Sequence, residues 1–189
     1  EVVLYYKSNF RPFPNILTPL ACAIEHLRER GKTVRVIETY DEIEHCRYQH
    51  PLTVKADYPE LNSPVGRVWR FDVPQDVYAI VENTIEYLSR RLLWEPGTLH
   101  SLEWSLYELL DNVFQHSQVE RGYFMFQVQQ QKRRLSFAIA DQGCGIQESF
   151  RGSRYEPASA ADAITLAVQR GVTRDAERNM GSGLWGSCD

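Results

Sequence analysis

The sequence predicts a mixed α/β protein, on three observations. A strand, an amphipathic helix and a second strand follow one another within residues 1–40. Two long amphipathic helices occupy residues 74–116, and two strands joined by a polar turn come soon after them.

Taken in order, "EVVLYYKS" is the first strand, and "ILTPLACAIEHLRER" carries apolar side chains at helical spacing up to Gly31, a residue suited to a helix C-terminus. "TVRVIET" is the second strand. A helix between two strands makes a parallel pair, because a parallel connection needs a crossover. No Gly-rich phosphate loop lies between the first strand and its helix. Residues 41–65 are polar, with Pro51, Pro59 and Pro64, and read as a loop or linker. The expected organisation is a small α/β unit with its linker over 1–65 and a larger domain over 66–189.

In the larger domain "RVWRFDV" is strand-like, Pro74 stands where a first helical turn tolerates it, and "QDVYAIVENTIEYLSRRL" is an amphipathic helix. After a break at Pro96 and Gly97, the residues Leu99, Leu102, Leu106, Leu109, Leu110 and Val113 recur at three- and four-residue intervals, the stripe of a second helix on a core. "YFMFQVQQ" and "RLSFAIAD" form an antiparallel hairpin with Lys132, Arg133 and Arg134 at its turn. From Ser159 a last helix, "SAADAITLAVQR", leads to Gly171 and "NMGSGLWG".

Composition sets limits on function. With 189 residues, 43% of them hydrophobic, the chain buries a proper core. A formal net charge of -4, with no basic excess in either half, argues against nucleic acid as a partner. Cys22, Cys46, Cys144 and Cys188 form no C-x-x-C pair, so neither a zinc site nor a disulfide scaffold is expected, and a reducing, cytoplasmic location fits. No apolar run approaches the roughly 20 residues that span a bilayer, and no signal peptide is visible.

The chemistry-bearing residues begin with "YELLDNVFQH", residues 107–116, where Glu108, Asn112 and His116 recur at intervals of four. A rise of about 1.5 Å per residue puts Glu108 and Asn112 one turn apart, roughly 6 Å, on one side of the helix. A carboxylate and an amide beside a core are costly unless they are hydrogen-bonded or meet a ligand. On spacing alone, a solvated polar face and a ligand site both fit. "DQGCGI", Asp141 to Ile146, ends a strand with a carboxylate and then sets Gly143 and Gly145 at alternate positions. Glycine lets a flat ligand approach closely, and an acceptor-only carboxylate suits the amino group of adenine; an ordinary strand-ending turn is the other reading. Gly181, Ser182 and Gly183 before Leu184 fit either a plain turn or the opening of a helix whose amides hold phosphate.

In this order E-x-x-x-N on a helix, D-x-G-x-G after a strand and then G-x-G-L resemble the GHKL superfamily of ATPases, over residues 66–189. The resemblance implies a Bergerat-type ATP-binding fold, an α+β sandwich with helices on one face of a mixed sheet, and ATP with Mg2+ as its ligands. By motif Glu108 matches the acid that polarises the attacking water, Asn112 the magnesium ligand, and His116 the histidine that closes the same box. Asp141 matches the adenine-reading aspartate, and Gly143 and Gly145, followed by Ile146, the base pocket. Gly181, Ser182, Gly183 and Leu184 match the second glycine box, at the hinge of a short ATP lid from which Thr173 and Arg174 could reach phosphate.

The strand and helix ahead of the E-x-x-x-N helix are similar to the anti-sigma-factor and serine-kinase branch, and the N-terminal unit loosely resembles a STAS domain. A regulatory protein partner is therefore implied, with a homodimer left open. A classical histidine kinase is disfavoured, because His26 in "AIEHLRER" lacks the neighbours of a phospho-acceptor and reads as a surface helix residue. The superfamily's sheet continues past the second glycine box, so further strands are expected beyond Asp189. The expected function is Mg-dependent ATP hydrolysis or protein-serine phosphorylation in signalling. The alternatives are a non-catalytic, nucleotide-gated interaction module and a pseudo-ATPase, and Glu108 favours the enzyme over the last.

Overall fold

In the computed structural model the described residues are 1–6, 13–38, 68–117 and 119–169. They form a mixed α/β structure with five α-helices and two small sheets. The chain gathers into two compact units, Glu1–Asp72 with Arg121–Gln142, and Val73–Glu120 with Gly143–Asp189.

The first unit opens with β1 (Val2–Tyr6), α1 (Pro14–Glu29) and β2 (Val34–Glu38). β1 and β2 pair in parallel, Val2 opposite Val34, as the intervening helix requires. Pro14 sits in the first turn of α1, where its missing N–H costs nothing. Beyond the end of the helix Gly31 takes a left-handed φ of 72°, which glycine adopts without strain.

The unit's second sheet is antiparallel, in the order β3 (Trp69–Phe71), β4 (Gly122–Gln129), β5 (Arg134–Asp141). A single 3-10 turn, Gln130–Lys132, with Arg133 at a φ of 47°, closes the β4–β5 hairpin. Burial on both faces explains why the centre of β4 is apolar throughout rather than alternating. Tyr123 and Met125 pack with Leu17, Ala21 and Cys22 of α1 and with Val68, while Phe124 and Phe126 are equally buried. Phe71 on β3 and Asp141 on β5 both stand opposite Gly122 of β4. The Phe71 ring fills the space a side chain at Gly122 would need, since a Cβ there would lie 2.1 Å from Cζ of Phe71.

The same end of the sheet is fastened to α1 by charge. The Arg121 guanidinium pairs with Glu29, the last residue of α1, and with Asp72 at 2.6 Å. Asp72 also accepts from Arg70 at 2.9 Å. The C-terminal half of α1 therefore lies against the end of the sheet at which Asp141 stands.

The second unit holds α2 (Pro74–Arg91), α3 (Thr98–His116), α4 (Gly145–Ser149) and α5 (Ala160–Ala167). α2 buries Val77, Ile80, Val81, Thr84 and Leu88, a helical stripe that packs on α3, where Leu106, Leu110 and Val113 are buried. Asp76 caps α2 by accepting the Val73 N–H at 3.1 Å. In the connection to α3, the Trp94 indole N–H donates to the Leu88 carbonyl at 3.0 Å. α5 is capped by Ser159, whose Oγ accepts the Asp162 N–H at 3.1 Å. Among the described residues no helix is long and apolar enough to cross a membrane.

Candidate functional site

In the second unit Glu108 and Asn112 lie one turn apart on α3, both half-buried beside the Leu106, Leu110 and Val113 stripe. Burial pushes the Glu108 carboxyl above the ordinary glutamate range, and the nearby Asp111 charge adds to the shift. A carboxylate with raised proton affinity is a better base near neutral pH. Asn112 presents a buried amide nitrogen that has no hydrogen-bond partner among the described residues. A buried amide nitrogen left without an acceptor is costly.

The end of α3 is tied to the glycine segment. Ser117, just past the helix, donates its hydroxyl to the Val113 carbonyl, and its own carbonyl accepts the Cys144 N–H at 3.0 Å. This bond seats Gly143, Cys144 and Gly145 beside the C-terminal end of the Glu108–Asn112 helix. Gly145 then opens α4 at a φ of 78°, a backbone conformation that strains any residue with a side chain. Ile146, the next residue, is exposed. The second unit thus holds Glu108, Asn112, Gly143, Gly145 and Ile146, and His116 closes α3 as its last residue.

Asp141 belongs to the first unit, as the exposed last residue of β5. The residue after it, Gln142, reaches α1 with both ends of its amide. Its Oε1 lies 2.9 Å from Nδ1 of His26, and its Nε2 donates to the Cys22 carbonyl at 3.1 Å. The Cys22 thiol is pushed up to about 11, mainly by burial and further by the Asp141 charge, against a lowering hydrogen bond from Gln142. Asp141 is therefore within electrostatic reach of α1. Tyr123 is pushed up to about 12, again chiefly by burial.

No protein-family model matches the chain, and no curated protein or solved structure matches it with significance. The site therefore rests on its residues.

Thr173, Gly181, Ser182, Gly183 and Leu184, with Arg174, lie outside the described residues. One reading is corrected: His26 is not a plain surface residue but half-buried, bonded to a glutamine far along the chain. Spacing along α1 could not reveal a partner supplied by the end of β5. Sequence reasoning also missed Ser117, a small polar residue between two motifs with no pattern to mark it. Gln142 stood inside the D-x-G-x-G segment, but at a position the motif leaves unspecified.

Magnesium can be tested against these side chains. Among the described residues no group of three or more His, Cys, Asp or Glu could hold a metal ion. A hard cation that keeps several waters and takes phosphate oxygens from its substrate needs only one or two protein ligands, however. The Asn112 side-chain oxygen, one turn from the Glu108 carboxylate, meets that modest demand by its chemistry, whereas the buried Asn112 amide nitrogen is a donor and would not ligate a cation.

Proposed function

We propose that this chain is a GHKL-type ATP-binding protein of Bergerat-type fold that hydrolyses ATP or passes its terminal phosphoryl group to a protein serine in a signalling role. The observation that carries the reading is the half-buried Glu108–Asn112 pair on α3, with the end of that helix hydrogen-bonded to the glycine segment that follows Asp141. Glu108, its proton affinity raised by burial, holds the attacking water or serine hydroxyl and takes its proton. Asn112 would hold Mg2+ through its side-chain oxygen. When bound, that ion supplies positive charge across the phosphate oxygens. Asp141 accepts the amino group of adenine, and Gly143 and Gly145 let the backbone approach the base. Thr173 and the Gly181–Leu184 segment remain assigned to the lid by motif alone. Gly145→Ala strains the αL position that opens α4, so the geometry of this segment depends on glycine.

The test follows labelled ATP in the full chain with magnesium, measuring free phosphate against protein-bound label. Turnover that disappears in Glu108→Gln while nucleotide affinity stays near that of the parent is the expected result. Equal phosphate release by variant and parent would contradict the base role. Nucleotide binding without either product in the parent would instead favour a nucleotide-gated interaction module.

A further inference from the structure

Asp141 is the last residue of β5, and among the described residues β5 has only β4 as a neighbour, in the order β3-β4-β5. Its backbone is fixed on one side through Gly122. Gln142 has already left the ladder, so the sheet does not hold the bond on which the direction of the Asp141 backbone depends. A second fixed point comes from α1. Cys22 and His26 are four residues apart, on one face of that helix, and the Gln142 amide spans them, at 3.1 Å to the Cys22 carbonyl and 2.9 Å to Nδ1 of His26.

The bonding pattern is unambiguous. A carbonyl only accepts, so the amide nitrogen must face Cys22 and the amide oxygen must face His26, which then donates from Nδ1. The Arg121 contacts to Glu29 and Asp72 hold the same end of α1 to the same end of the sheet. All of these groups lie in one compact unit.

We propose that Gln142, gripped by His26 and the Cys22 carbonyl of α1, is a positioning residue that fixes the aim of Asp141 at the adenine ring. Adenine affinity then depends on where α1 sits. The proposal rests on the reading of Asp141 as the adenine acceptor, and its test separates the two.

Affinities for ATP and for inorganic tripolyphosphate, which has no base to read, are measured on the full chain by competition with a fluorescent nucleotide. Gln142→Met keeps the volume and removes both bonds. It should weaken ATP about threefold to tenfold, the worth of a hydrogen bond or so, and leave tripolyphosphate unchanged. His26→Leu should do the same, and His26→Asn, which returns a donor near the position of Nδ1, should restore ATP binding. Equal losses for ATP and tripolyphosphate, the mark of general damage, would overturn the proposal. So would parental ATP affinity in Gln142→Met where Asp141→Asn is impaired. Parental ATP affinity in Asp141→Asn itself would overturn the adenine reading, and the proposal with it.

Discussion

At the scale of single residues, Glu108 sets stability against function. Its folded-state pKa is raised by burial, so the folded chain holds that proton more tightly than the unfolded chain does. The stability this group contributes is therefore fully present below the ordinary glutamate pKa and is lost as pH rises through the higher folded value. Glu108→Gln, which carries no charge to desolvate, should melt at a higher temperature than the parent at neutral pH. That advantage should fade toward acid pH, in melts recorded across the range. A neutral-pH midpoint equal to or below the parent's would contradict the burial of a charged carboxylate. A substitution that stabilises the chain and abolishes turnover marks a residue kept for chemistry rather than for folding. Asn112 is open to the same comparison of melting and turnover, since its buried amide nitrogen is left without a partner among the described residues.

At the scale of elements, the end of the three-stranded sheet is defined by what fits beside Gly122. A Cβ at that position would lie 2.1 Å from Cζ, 2.5 Å from Cε2 and 2.7 Å from Cε1 of Phe71, a fully buried ring. The ring has no flexible end to move aside. Gly122→Ala should therefore cost about 1–3 kcal/mol, as overpacking does, read from urea unfolding. A loss below about 0.5 kcal/mol would contradict the close approach.

Local periodicity made much of this architecture legible. The β1–α1–β2 unit with its parallel strands, the α2 and α3 stripes and the β4–β5 hairpin follow from apolar spacing and turn residues. The placement of α1 against β4 and β5 did not, because an apolar face announces that something covers it without saying what. The helix α4 was missed because five residues opening on a left-handed glycine carry no period. In the candidate site, the Glu108–Asn112 spacing and the strand-ending Asp141 were readable. The Ser117–Cys144 bond and the His26–Gln142–Cys22 contacts were not, since each joins segments distant in sequence.

At the scale of the whole molecule, each compact unit is assembled from two stretches of chain. One unit carries the strand-ending Asp141 with α1 and the sheet, and the other carries Glu108 and Asn112 with the glycine segment. A ligand that binds only the folded chain stabilises it by mass action, by about 2.7 kcal/mol at a concentration of 100 times its Kd. ATP with magnesium should raise the melting temperature accordingly, and GTP should do so less at the same concentration.

The claim that Asp141 reads adenine is tested most directly by calorimetric titration of ATP, with magnesium, into the full chain and into Asp141→Asn. An amide in place of the carboxylate removes the charge and turns one of its two acceptor oxygens into a donor, leaving at best a neutral acceptor for the adenine amino group, so affinity should fall about tenfold, about 1.4 kcal/mol. Saturable binding by the parent with that loss in the variant is the predicted result. The same affinity in both proteins, or no binding of ATP by the parent, would contradict it.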